Sequence, residues 1–272
     1  MARKEERLTA PVLAISTPKG RFYQHPRSKK QVPSITNIIG MKDKPALKWW
    51  AAKMAATFAA QNINVIGQLK TEQERIDLIK GAPFRSTDNS SKVGDTVHDW
   101  IDGYAKHFIA TGGARDWEPE EFEDAPLTAR RMWHQFLHMD SHYQVEWLVS
   151  EFTVWSEQYE FAGSGDWIAR IGGQVIYGDT KTGNGVYPEV GLQVAAGANA
   201  DYALDGNGEQ YQLPAAERFA VLHVRPTYTR LSPLENIDGC FKAFLGLRAV
   251  FEWDVTESEQ VIGYAPQLHG PR

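Results

Sequence analysis

Between Val12 and Gln31 apolar and polar residues alternate loosely around Pro18-Lys19-Gly20, and this predicts a basic β-hairpin. Pro33-Ser34-Ile35-Thr36 leads into a short apolar stretch. From Pro45 the period changes: Leu47, Trp50, Ala51, Met54 and Phe58 recur at helical spacing, with the proline suited to a first turn. A shorter helix is expected over Thr71–Lys80, and Pro83 with the polar run Ser86–Ser91 should separate it from the next. That next helix, starting near Ser90, carries the stripe Val93, Val97, Ile101, Tyr104 and Phe108 and stops at Gly112-Gly113. Another spans about Pro126–His142, with Met132, Phe136 and Met139 turned inward.

Residues 145–181 then read as three strands. Val145–Trp155 is rich in β-branched and aromatic residues, Phe161–Ile171 follows, and Gly172-Gly173 turns the chain into Gln174–Lys181. After Gly183, Gly185 and Pro188, the alanine-rich segment Gly191–Leu204 predicts a helix, and Asp205–Glu209 a polar turn. Arg218–Val224 is an apolar strand, Gly239–Trp253 an amphipathic helix, and the tail with Pro266, Gly270 and Pro271 reads as loose. This order predicts one α/β domain over residues 1–272, a central mixed sheet covered by helices on both faces.

Composition changes this picture little. With 42% hydrophobic and 23% charged residues the chain is ordinary globular material. No apolar run approaches the roughly 20 residues of a membrane span, and the basic start lacks an apolar stretch behind it, so a cytoplasmic protein without a membrane partner is expected. Cys240 is alone, which excludes a disulfide within the chain, a four-cysteine zinc site and a cysteine-ligated iron–sulfur cluster; it reads as a small buried apolar residue. Charge is more informative. Residues 1–53 hold twelve Lys/Arg against three Asp/Glu, a balance of +9, so the total of −5 leaves −14 for the rest. A basic entrance to an acidic, metal-binding centre fits that asymmetry, as does a merely solvated basic arm.

The candidate chemistry sits at the end of the third strand, Tyr177-Gly178-Asp179-Thr180-Lys181. Residues two apart in a strand share a face, which aligns Asp179 with Lys181. Pairing of this strand with the preceding one through Gly172-Gly173 brings Asp166 toward Asp179. Two neighbouring carboxylates repel and favour a cation between them, and hard oxygen ligands suit Mg²⁺ or Mn²⁺. A lysine alongside can orient water and offset charge on a phosphate. By itself, Asp-x-Lys is common and often only a surface pair at a strand end.

In combination the motifs resemble the PD-(D/E)XK nuclease superfamily, in particular its RecB-like branch of phage exonucleases and CRISPR-associated nucleases. The likeness runs over roughly residues 30–255. It rests on Gly94-Asp95-Thr96-Val97-His98, on Asp166 after Gly163-Ser164-Gly165, on Asp179-Thr180-Lys181 and on Gln193 in Gly191-Leu192-Gln193. The segments Pro33–Thr36 and Lys44–Lys53 also resemble phage members. The resemblance implies a restriction-endonuclease-like core, with residues 145–255 as catalytic sheet and helices and residues 1–44 as a basic hairpin region. It implies that Asp166, Asp179, the Thr180 carbonyl and His98 hold Mg²⁺ or Mn²⁺, that Lys181 positions water, and that Gln193 steadies Lys181 or a phosphate. DNA is the implied substrate. A phage recombinase or single-strand binding protein is an implied partner, and a host cytoplasm the implied setting. Exonuclease, structure-selective endonuclease and inactive DNA-binding protein all fit the same core. One departure is Gly197, where relatives usually carry a tyrosine four positions after the glutamine.

Other residues carry competing readings. His134, His138 and His142 share a helix face but lack the glutamate of a zinc-protease helix, and read as solvated. Lys19, Arg21, Arg27, Lys29 and Lys30, interleaved with Phe22 and Tyr23, suit phosphate contacts and base stacking, or are hairpin surface charge. Glu151 reads either as a support for the metal ligands or as an exposed strand charge. Trp49 and Trp50 read as core and rim rather than a stacking platform. No Gly-rich phosphate loop is present, so ATP use is not expected.

Overall fold

The computed structural model describes residues 13–263, apart from the side chains of residues 86–90. The predicted hairpin forms as β1 (Ala14–Thr17) and β2 (Gly20–Gln24), closed by Pro18-Lys19, and β3 (Gln31–Pro33) extends it to three antiparallel strands. Ser34 caps the short α1 (Ile35–Ile39) by accepting from the Asn37 amide. A helical arm follows: α2 (Pro45–Gln61), α3 (Ile63–Gly67) and α4 (Glu72–Lys80), the last begun by a reciprocal capping box between Thr71 and Glu74.

The break expected around Pro83 and Ser86–Ser91 is absent. One helix, α5 (Ala82–Thr111), runs through it, because Pro83 lies in the first turn, where its missing N–H costs nothing. Then come α6 (Leu127–Tyr143), β4 (Glu146–Ser156), β5 (Phe161–Ile171) and β6 (Gln174–Lys181), close to the expected bounds. The alanine-rich helix is shorter than its composition suggested: α7 (Glu189–Ala198) ends at Asn199, and Tyr202–Leu204 leaves as β7 to pair with Thr153–Trp155. The edge strand β8 (Gln210–Tyr211), and β10 (Tyr228–Pro233) beside the anticipated β9 (Arg218–Arg225), were not foreseen. The last long helix is α8 (Ile237–Thr256).

The main sheet has seven strands in the order β10-β9-β6-β5-β4-β7-β8, and is mixed: β6 and β9 run parallel, their neighbours antiparallel. Helices cover both faces, as the pattern predicted. On one side α5 and α6 pack Val97, Tyr104, Trp133 and Phe136 over Trp147, Trp167 and Leu222. On the other, α1, α7 and α8 pack Ile38, Val194 and Phe244 over Phe161, Ile168 and Tyr177. The small sheet docks through Tyr23, whose hydroxyl is 3.0 Å from Ser164 Oγ. Among the described residues, no helix is long and apolar enough to cross a membrane.

The arm α2–α4 contributes no buried side chain to either core. Trp49 is 78% exposed and Trp50 37%, so the expectation of core and rim is wrong for this pair. Cys240 is half-buried rather than buried, against Gly191. The three histidines of α6 are exposed, as expected.

Candidate metal centre

The sheet opens where β5 begins and β6 ends. Backbone pairing of these strands stops at Trp167 and Gly178. One step further Asp166 and Asp179 stand opposite each other, and the Thr180 amide donates to Asp166 Oδ2 at 2.7 Å. The carboxylate thus takes up an amide that a strand carbonyl would otherwise accept. Glycine at 178 is required by Trp167: a Cβ there would lie 1.9 Å from the indole ring. That indole is buried and donates to Thr180 Oγ1 at 3.1 Å, fixing the residue between Asp179 and Lys181.

Asp179 is 3% exposed. Its Oδ2 lies 2.6 Å from Lys181 Nζ as an ion pair, yet receives no hydrogen bond of proper geometry. Lys181 Nζ also donates to Gln193 Oε1 on α7, at 3.3 Å. Burial, with Asp166 adding to it, pushes the Asp179 carboxyl above the ordinary range, and Lys181 pulls it back only partly. On α5, His98 Nδ1 is 3.9 Å from Asp166 Oδ2, ion-pair range but too long for a hydrogen bond. The His98, Asp166, Asp179, Lys181 and Gln193 side chains therefore converge.

Glu151 joins them. The pairs Ser150–Trp167 and Phe152–Gly165 on either side put Glu151 directly across β4–β5 from Asp166. It is not the exposed strand charge of the alternative reading. Burial, then Asp166 and Asp102, push its pKa up to about 8 despite Lys106. Its backbone has φ +46°, a conformation that non-glycine residues seldom adopt outside constrained sites.

These observations fit a divalent cation. Three acidic side chains occupy adjacent strands, one is buried with an oxygen short of hydrogen bonds, and their mutual repulsion is what a 2+ charge relieves. Among the described residues no three His, Cys, Asp or Glu side chains enclose an ion by themselves. Mg²⁺ retains several waters, so a pair of carboxylates is an adequate anchor.

A stability prediction follows. Glu151, ordinarily titrating near 4.5, holds its proton to about 8 in the folded chain. Its contribution is full below the unfolded pKa and disappears as pH rises through the folded one. In EDTA, the melting temperature should fall between pH 5 and pH 8, and Glu151→Gln should flatten that fall. Mn²⁺ should raise the melting temperature more at pH 8 than at pH 5. An unchanged slope in the variant would remove Glu151 from the cluster.

Three supports were not legible in the sequence. Arg225 donates to the Thr182 carbonyl at 2.6 Å and to Asn184 Oδ1 at 2.8 Å, while His223 Nε2 is 2.8 Å from the Gly183 carbonyl. Both come from β9, alternate residues on one face, and hold the loop leaving Lys181; a charged residue closing an apolar strand was the available signal. The third is Tyr177. Its hydroxyl packs so closely on Gly197 that a Cβ there would lie 2.1 Å away, so the glycine in place of a tyrosine makes room for a phenol from β6. Tyr177 lines the same small cleft as Asp166, Asp179 and Gln193.

The basic hairpin is less available than its composition suggested. Tyr23 is buried and Phe22 packs on Phe251, so neither ring offers a face to a base. Lys30 pairs with Glu157 and Glu160, Arg27 with Glu209, and Lys19 and Lys29 donate to the Val255 and Pro26 carbonyls; Arg21 is exposed. No family model matches the chain, and no curated protein is significantly similar to it, which leaves the site's own chemistry as the basis for its function.

Proposed function

We propose that the chain is a divalent-metal-dependent deoxyribonuclease with a PD-(D/E)XK type of core, acting on DNA ends. The observation that carries this reading is the buried Asp179 carboxylate, set between Asp166 and the Lys181 ammonium where two strands part. Asp166 and Asp179, with the Thr180 carbonyl and His98, would hold Mg²⁺ or Mn²⁺. The ion would supply Lewis-acid polarisation of the phosphoryl group and a more acidic water.

The chain's own groups have distinct tasks. Lys181, held between Asp179 and Gln193, keeps one ammonium at a fixed place, where it orients a water and offsets charge growing on the phosphate oxygens. Gln193 limits the lysine's rotamers. Glu151, protonated behind Asp166 in the ion-free chain, would add negative charge once a bound cation displaces its proton, which strengthens the hold on that cation. The Trp167–Thr180 bond and the Arg225 clamp keep the strand end from fraying. Phosphodiester hydrolysis needs these functions together, and cleavage at the 3′ oxygen leaves a 5′ phosphate.

The test compares linear duplex, covalently closed duplex and single-stranded DNA, each with Mn²⁺, Mg²⁺ or EDTA. Ion-dependent loss of linear DNA with the closed circle intact is expected. Cutting of the closed circle moves the assignment to an endonuclease. If all substrates survive with both ions, the chain is a binding protein and the proposal fails.

A further inference from the structure

The arm bears an unexplained surface. Helix α2 is 17 residues long and buries none of them, although its sequence is largely apolar. Its first two turns present Leu47, Trp49 and Trp50 to solvent. A helix gains most of its stability by burying one face, and large exposed aromatic rings mark a binding surface. The charge flanking them is mainly positive. From Lys42 to Lys70 there are five lysines against the single acid Asp43, in a chain whose net charge is −5; Lys42 and Lys48 are ion-paired, with Glu189 and Asp43, and Lys44, Lys53 and Lys70 are exposed and open to phosphates.

The segment that leads into the arm reaches α7. Just ahead of α2, Lys42 pairs with Glu189 at 2.5 Å, on the same helix as Gln193 and one turn before it. Near the other end, Arg85 of α5 lies over the Phe58 ring at 4.9 Å, and further along α5 Gly94 abuts Thr182, next to Lys181. Helix α2 therefore spans from the element that carries Gln193 to the element that carries His98.

We infer that α2 is a docking platform for a single DNA strand, with Trp49 and Trp50 stacking on bases and the lysines following the phosphates into the site. The inference rests on the nuclease reading and names its substrate form, an unpaired strand end. Stacking needs exposed rings and phosphates need cations, and both occur together here; a protein partner would require the apolar area without the charge bias.

The experiment measures binding of a fluorescent 20-nucleotide oligothymidine to the full chain in EDTA, where hydrolysis does not interfere. Replacing both Trp49 and Trp50 by Ala should weaken binding by about tenfold or more, while Phe at both positions restores most of it, since base–aromatic stacking tolerates a change of ring. Affinity for blunt duplex of equal length should change less. Equal binding by wild type and the double Ala variant overturns the platform. So does sedimentation showing that wild type self-associates and the variant does not, which would give the surface to a second copy. Wild-type cleavage of linear DNA, measured separately, decides the nuclease reading: cleavage with unaltered oligothymidine binding in the variant sinks the platform alone. Stacking-dependent binding without cleavage sinks the nuclease alone.

Discussion

Lys181→Met should slow single-turnover DNA cleavage by about a thousandfold, the scale reached when one preorganised charge or donor is removed from a reacting phosphate or acyl group. Methionine keeps much of the length and apolar stem of lysine and removes only the ammonium. Its loss leaves Asp179 without its 2.6 Å partner, and the carboxylate, already short of hydrogen bonds, becomes freer to hold a cation. Mn²⁺ affinity, followed by calorimetry, should therefore be retained or increased while chemistry collapses. Asp179→Asn should lose both. The opposed effects on ion binding distinguish a lysine that acts on the substrate from one that merely balances charge in the fold. Wild-type rates in Lys181→Met would remove the proposed role.

The second large effect concerns the fold. Asp140, on α6, is 1% exposed and accepts from Tyr104 Oη at 2.7 Å, from Trp147 Nε1 at 2.8 Å and from Arg115, which also donates to the Val145 carbonyl at 2.8 Å. The single carboxylate ties α5, α6 and β4 together on one face of the sheet. Asp140→Ala would strand a guanidinium and two buried donors. Breaking such a pair one-sidedly costs about 3–5 kcal/mol, and partial exposure of Arg115 favours the lower end. For a chain of this size the melting temperature should drop by about 6–12 °C. Asp140→Asn, which keeps an acceptor, should lose less. Equal melting of wild type and Asp140→Ala would show that the three donors find other partners.

Much of the candidate site was legible because its signals are local. Strands β5 and β6 follow from β-branched runs on either side of Gly172-Gly173, and the period of two then places Asp179 and Lys181 on one face without further information. Long-range pairing was not legible. Glu151 is beside Asp166 only through the β4–β5 register, and Arg225 reaches Thr182 only because β9 lies next to β6, a neighbour 43 residues away in sequence. Helix α2 misled for the opposite reason. Its periodic apolar residues predicted the helix correctly, but periodicity says that a face is apolar and not what covers it. The short β7 failed because three residues following an alanine-rich helix cannot outweigh local propensity; pairing with β4 decides their conformation.

The position of β6 in the interior of the sheet has a dynamic consequence. Flanked by β5 and β9, it shares the slowest opening motions of the molecule rather than the nanosecond flicker of surface loops. Asp179–Lys181 lie beyond the last β5–β6 pair and keep their register through β9, which pairs with all three residues, and through the Thr180 amide bond to Asp166. On the proposed nuclease reading, adaptation to differing DNA ends would fall to the periphery, where the exposed arm contributes no buried side chain to either core.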